Sequence, residues 1–140
     1  AVSFSPSQVA RKAVSQVDFG QQLTLRMRIK IFAPLAVIGV GYAIRNSVGM
    51  DLVYGDSRLD DAILEDVKPG EEYIFDWDFQ ASLQGGPYSF VCAVSSLNGV
   101  TGFERCDFIP CALQFSVLQP PEIVMGGSVH LPGKLSYQKI

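Results

Sequence analysis

Apolar and polar residues alternate along most of this chain, the period of a strand with one buried face. From Gln22 to Phe32, Leu23, Leu25, Met27, Ile29 and Ile31 share one face, and Thr24, Arg26, Arg28 and Lys30 share the other. A first strand is predicted upstream, over Val9 to Val17. After Pro34 the next strand runs from Val37 to Arg45, with Ile38, Val40, Tyr42 and Ile44 on one side and Val37, Gly39, Gly41, Ala43 and Arg45 on the other. Asn46 to Gly49 is a hairpin signal, and Met50 to Ser57 continues as a strand. The acidic stretch 58–70 is irregular. Asp60 has the chemistry to cap a short helix running to Val67, and a loop fits equally well; Pro69-Gly70 closes the stretch either way.

Glu72 to Gln80 is the clearest strand. Tyr73, Phe75, Trp77 and Phe79 point one way and are predicted to be core, with the Trp77 indole N–H hydrogen-bonded. Past the turn at 84–87, Tyr88, Phe90, Cys92 and Val94 face inward, with Ser89, Val91, Ala93 and Ser95 outward. Asn98-Gly99 and Thr101-Gly102 mark a connection. Cys111, Leu113, Phe115 and Val117 form another inward set, with Ala112, Gln114 and Ser116 outward. A terminal strand is predicted from Val129 to Leu131, extending toward Tyr137. Seven or eight short strands, without a long 3.6-period segment, predict an all-β antiparallel β-sandwich, Ig-like or jelly-roll.

Composition narrows the function. At 140 residues one domain is expected over the whole chain, and 48% hydrophobic against 18% charged residues excludes a disordered segment. By size scaling the folded monomer is expected to expose roughly 7,100 Å². A net charge of −3 argues against a nucleic-acid partner. The mean hydropathy of +0.22 is high, but the longest mostly apolar run, Ile31 to Ile44, is broken by Pro34, Gly39 and Gly41 and is too short to span a bilayer. No secretory leader opens the chain, and Ala1 in place of Met suggests a fragment of something longer. Three cysteines, Cys92, Cys106 and Cys111, read as reduced, mostly buried thiols. With His130 the single histidine, no metal site is expected, and neither a phosphate-binding loop nor a nucleophile elbow is present, so no catalytic residue and no cofactor are implied.

The order of these motifs resembles the C-terminal domain of Wzt-type subunits, the ATP-binding halves of O-antigen polysaccharide exporters. The resemblance rests on Gln22 to Ile31, Pro34, Ile44-Arg45-Asn46-Ser47-Val48-Gly49 and Met50 to Gly55. It continues through Lys68-Pro69-Gly70, Phe75-Asp76-Trp77-Asp78-Phe79, Gly86-Pro87-Tyr88, Ala112 to Val117, and Gly126-Gly127-Ser128-Val129-His130-Leu131-Pro132, covering about Gln8 to Pro132. Gly55-Asp56-Ser57 stands where the family commonly has a glycine-threonine-Asn-Thr run. The resemblance implies a cytoplasmic, non-catalytic β-sandwich, held at the inner membrane as part of an exporter. It implies recognition of a completed, end-modified polysaccharide. The implied partners are an upstream ATPase domain, the exporter's membrane subunit and a second copy, joined by exchange of the last strand. Gly126 and Gly127 would be the hinge, and Val129, His130 and Leu131 the exchanged strand.

Small residues in mid-strand often mark a close approach to the backbone. Gly39, Gly41 and Ala43, beside Ser89, Ser95 and Ser116, are therefore expected to floor an outer trough walled by Arg45 and Gln114, with Tyr54 or Phe103 available to stack on a sugar ring. A loop or a partner subunit filling that trough is the alternative, as is a protein-binding adaptor. Asp76 and Asp78 lie on one strand face about 7 Å apart, a separation used by glycosidase carboxylates. A solvated acidic strand facing Arg26, Arg28 and Lys30 explains them better.

Overall fold

The computed structural model describes residues 2–6, 15–98 and 102–139. Among them every regular element is a strand: β1 (Val2–Pro6), β2 (Gln16–Asp18), β3 (Gln22–Lys30), β4 (Leu35–Asn46), β5 (Asp51–Asp56), β6 (Leu64–Val67), β7 (Glu72–Gln80), β8 (Gly86–Asn98) and β9 (Gly102–Leu118). Two sheets stack face to face. The smaller has the order β1-β3-β7; the larger has the order β2-β9-β8-β4-β5, with β6 also on β4. This is the expected all-β sandwich, with two differences. The described strands number nine, and β2 runs parallel to β9, with Gln16 opposite Ser116, so the larger sheet is mixed.

The alternating sets meet between the sheets. Leu23, Leu25, Met27 and Ile29 of β3 pack toward Ile38, Val40, Tyr42 and Ile44 of β4 and Phe90 and Phe115 of β8 and β9. The aromatic rings interlock: Tyr42 meets Trp77 edge-on at 5.3 Å, and Phe90 stacks on Phe115 at 5.1 Å. Tyr73, Phe75, Trp77 and Phe79 flank this core half-buried, because β7 is the edge of its sheet; the Trp77 Nε1–H donates to Asp60 at 3.3 Å. On the wet face of the smaller sheet, Arg26 lies opposite Asp76 and grips it with two hydrogen bonds of 2.7 and 2.6 Å, while the Thr24 hydroxyl donates to Asp78 at 2.5 Å. The two carboxylates are thus the charged partners of a neighbouring strand.

Several expectations need correction. The stretch considered for a helix after Asp60 is a turn followed by β6, because Leu64 to Val67 completes the edge of β4 ahead of β5. The predicted first strand lies mostly outside the described residues; only β2 falls within it. The last regular strand is β9, and 129–131 form a single bridge, Val129 to Leu83. Cys92 is buried, and burial raises its thiol to about 11; Cys106 and Cys111 are exposed, each lying at one of the two register shifts of β9 against β8.

β9 begins nine residues before the inward set read from the sequence. Its first half breaks period two: Val94 faces Asp107 but Ser95 faces Arg105, which leaves Cys106 as an extra, bulged residue. Phe103, Arg105 and Phe108 thereby share the outer face despite their uneven spacing.

Candidate functional site

The site follows from the register of the larger sheet. On its outer face, Gly41 of β4 lies between Asp56 of β5 and Ala93 of β8, and Ala93 faces Phe108 of β9. One row on, Gly39 faces Ser95, and Ser95 faces Arg105. In the opposite direction, Tyr54 faces Ala43, which faces Val91. The two middle strands carry small side chains and the two outer ones carry large side chains. With strands spaced about 4.8 Å, the walls stand about 14 Å apart at the backbone. The result is a trough of about 270 Å³, floored by Gly41, Ala43, Val91, Ala93 and Ser95. Tyr54, Asp56 and Arg58 line one wall, and Leu97, Phe103, Arg105 and Phe108 line the other.

The first wall is a fixed polar network. Asp56 is buried and accepts from the Tyr54 hydroxyl, from Arg58 Nε at 2.9 Å and Nη2 at 2.5 Å, and from the Arg58 backbone N–H at 2.9 Å. Chiefly the Arg58 hydrogen bonds hold the Asp56 carboxyl at about 2, and the same pairing raises Arg58. The Tyr54 hydroxyl is shifted up by burial first and by Asp56 second. Its ring remains open to solvent, at 61% exposure for the residue. Across the trough Phe103 is 58% exposed, and the Arg105 guanidinium carbon stands 4.3 Å from the centre of the Phe108 ring. An accessible aromatic face on each wall, Tyr54 beside the polar network and Phe103 across from it, suits a ligand with apolar ring faces and many hydroxyls.

Of the predicted site residues, Gly39, Gly41, Tyr54 and Ser95 line this trough. Gly39 is closed over, however. A Cβ there would stand 3.3 Å from Ser57 Oγ and 3.5 Å from Leu97 Cδ1, so its smallness serves the chain's own packing. Gly41 is small for a similar reason, with the Gly55 carbonyl oxygen 3.1 Å from where a Cβ would be. Arg45, Ser89 and Gln114 form one cross-strand row beyond the trough, and Ser116 lies farther on, opposite Pro87. Arg45 is bound to Asp51 at 2.7 and 3.2 Å, so Asp51 takes its place at the trough's end. Sequence reading missed Asp56, Arg58, Arg105 and Phe108. The departure at Gly55-Asp56-Ser57 was the one signal for the first pair; the bulge at Cys106 hid the second.

A second hollow, of about 620 Å³, opens between the sheets beside Met27, Ile29, Ile31, Leu35, Val94 and Ile109. Its lining is mainly apolar, with Arg28, Lys30 and Asp107 as its charged members. Of the residues read as a strand-exchange segment, Gly126, Gly127, Val129 and His130 lie beside Phe19. The Gln84 N–H donates to the Ser128 carbonyl at 3.0 Å and the His130 N–H to the Ser82 carbonyl at 2.7 Å, so 128–130 are tied to their own chain. Residues 131–139 are exposed, Leu135 at 89% and Tyr137 at 95%.

Residues 2–131 match the Wzt C-terminal domain family. The chain belongs to that family. The crystal structure of the C-terminal domain of Wzt has the same fold, with a TM-score of 0.79 at 17% identity, over 98% of this chain and 81% of that one. A search of curated proteins finds no match. Membership of the Wzt C-terminal domain family supports a non-catalytic, carbohydrate-binding role in O-antigen export.

Proposed function

We propose that this Wzt C-terminal domain binds the end of a completed, modified O-antigen polysaccharide in the outer trough. Binding there signals that the chain is finished and licenses its export by the ABC transporter. In this reading the domain is cytoplasmic, joined to an ATPase domain in the parent subunit and held at the inner membrane by the exporter's membrane subunit. The observation that carries the reading is the register that sets two large-residue walls, with Tyr54 and Phe103 open, around a small-residue floor. Protein folds do not by themselves fix function, so the weight rests on these side chains. The test is retention of the source organism's polysaccharide by Tyr54→Ala, Phe103→Ala and Ala93→Phe. Each is expected to weaken binding about tenfold or more with the fold retained; unchanged binding by all three would remove the trough from the account.

The domain also acts as a homodimer through its C-terminal segment in this reading. Leu131, Leu135 and Tyr137 expose large apolar side chains there, Leu131 at 83%. A standard interface covers about 800 Å² on each partner. Exposed apolar side chains in one segment support a self-association surface. Asp76 and Asp78, the carboxylates of a glycoside-processing alternative, lie on the smaller sheet bound by Arg26 and Thr24, away from the trough. Their predicted contribution to polysaccharide retention is nil.

A further inference from the structure

The charges around the trough do not cancel. Asp56 is held by Arg58 and Asp51 by Arg45, so each carboxylate has its own guanidinium. Arg105 is a third guanidinium on the same face, and among the described residues no carboxylate pairs with it. The contact it makes is with the Phe108 ring, at 4.3 Å. Attraction to a ring face holds a guanidinium in place without using a hydrogen-bond acceptor, so its N–H groups remain available. The opposite wall does not repel an anion, because Asp56 is neutralised by Arg58 and its oxygens are already engaged. A protein of net charge −3 thus presents a local cation between two aromatic rings, Phe103 and Phe108.

Resting on the reading of the trough as a glycan site, we propose that the saccharide end it takes carries an oxyanion and that Arg105 receives it. A planar guanidinium matches a phosphate or carboxylate with two parallel N–H···O bonds. Phosphate esters and sugar carboxylates share this chemistry, and the experiment separates them. Phe103 is the adjacent stacking face for the ring that bears the group.

The test is an array of neutral, phosphate-bearing and uronate-bearing bacterial saccharides probed with the full chain, with Arg105→Gln and with Phe103→Ala, at low and high salt. Both substitutions fall on exposed residues, and unchanged melting temperatures are the folding control. Wild type is expected to prefer one anion-bearing class. Arg105→Gln should lose that signal at least tenfold and far more than it loses any neutral signal, and salt should weaken the wild type more than the variant. Phosphate-bearing or uronate-bearing members retained alone identify the source of the anion. Neutral saccharides bound as well as charged ones, with Arg105→Gln unchanged and Phe103→Ala weakened, would overturn the anion and leave the trough. No saccharide retained by the wild type would overturn both.

Discussion

Asp56 is where one residue's chemistry bears most directly on the site. Its carboxyl is depressed to about 2, below the ordinary value of 3.8, first by Arg58. A depressed carboxylate contributes stability that is present above its unfolded value and lost as pH falls through its folded one. Asp56→Asn is therefore expected to destabilise the fold by about 1–2 kcal/mol at pH 7, with most of the difference gone near pH 2. Denaturant titrations of both proteins at the two pH values check this, and a gap that persists at pH 2 would contradict it. Gly55 is constrained from the core side. A Cβ there would fall 2.2 Å from Tyr42 Cε1, and Tyr42 is wedged among Trp77, Phe79 and Phe90. Gly55→Ala should cost about 2–3 kcal/mol, since the ring has nowhere to move. A loss under about 0.5 kcal/mol would mean that the ring yields.

At the scale of elements, the sequence spoke clearly wherever one strand face was wet and the other dry. β3 and β7 were legible almost to the residue, because Leu23 to Ile31 and Tyr73 to Phe79 keep strict period two. β9 was half legible. A bulged residue shifts every later side chain to the other face, so Phe103, Arg105 and Phe108 show no alternation although they share a wall. The trough floor was legible as small residues, but the reason for some of them was not: Gly39 and Gly41 accommodate Ser57, Leu97 and the Gly55 carbonyl, contacts set by register and not by local pattern. The pairing of β3 with β7 places Arg26 on Asp76 at the surface, side chains 28% and 36% exposed. A double-mutant cycle on that pair should give only a small coupling that shrinks with added salt, and both single variants should retain polysaccharide like the wild type. Loss of retention by Asp76→Asn would reopen the catalytic alternative.

For the whole molecule, the proposed dimer places its interface on the segment after His130. Ser128 to His130 are anchored on the chain's own 82–84 connection, whereas Leu131, Leu135 and Tyr137 expose apolar surface that a second copy would cover. Removing residues 131–140 is expected to convert a dimer into a monomer or an aggregate by light scattering, with the sandwich's circular dichroism kept. A truncated chain that remains a stable dimer would place the interface elsewhere. The trough lies on the outer face of the larger sheet, built from β5, β4, β8 and β9, and the truncated chain should therefore still bind glycan.

The decisive measurement is calorimetric titration of the wild type and of the Tyr54→Ala/Phe103→Ala double variant with O-antigen polysaccharide from the source organism, its terminal group intact or removed. Saturable binding by the wild type to the intact end is expected, with at least about tenfold weaker binding when either the end group or the two rings are missing. Equal affinity across all four combinations would contradict it.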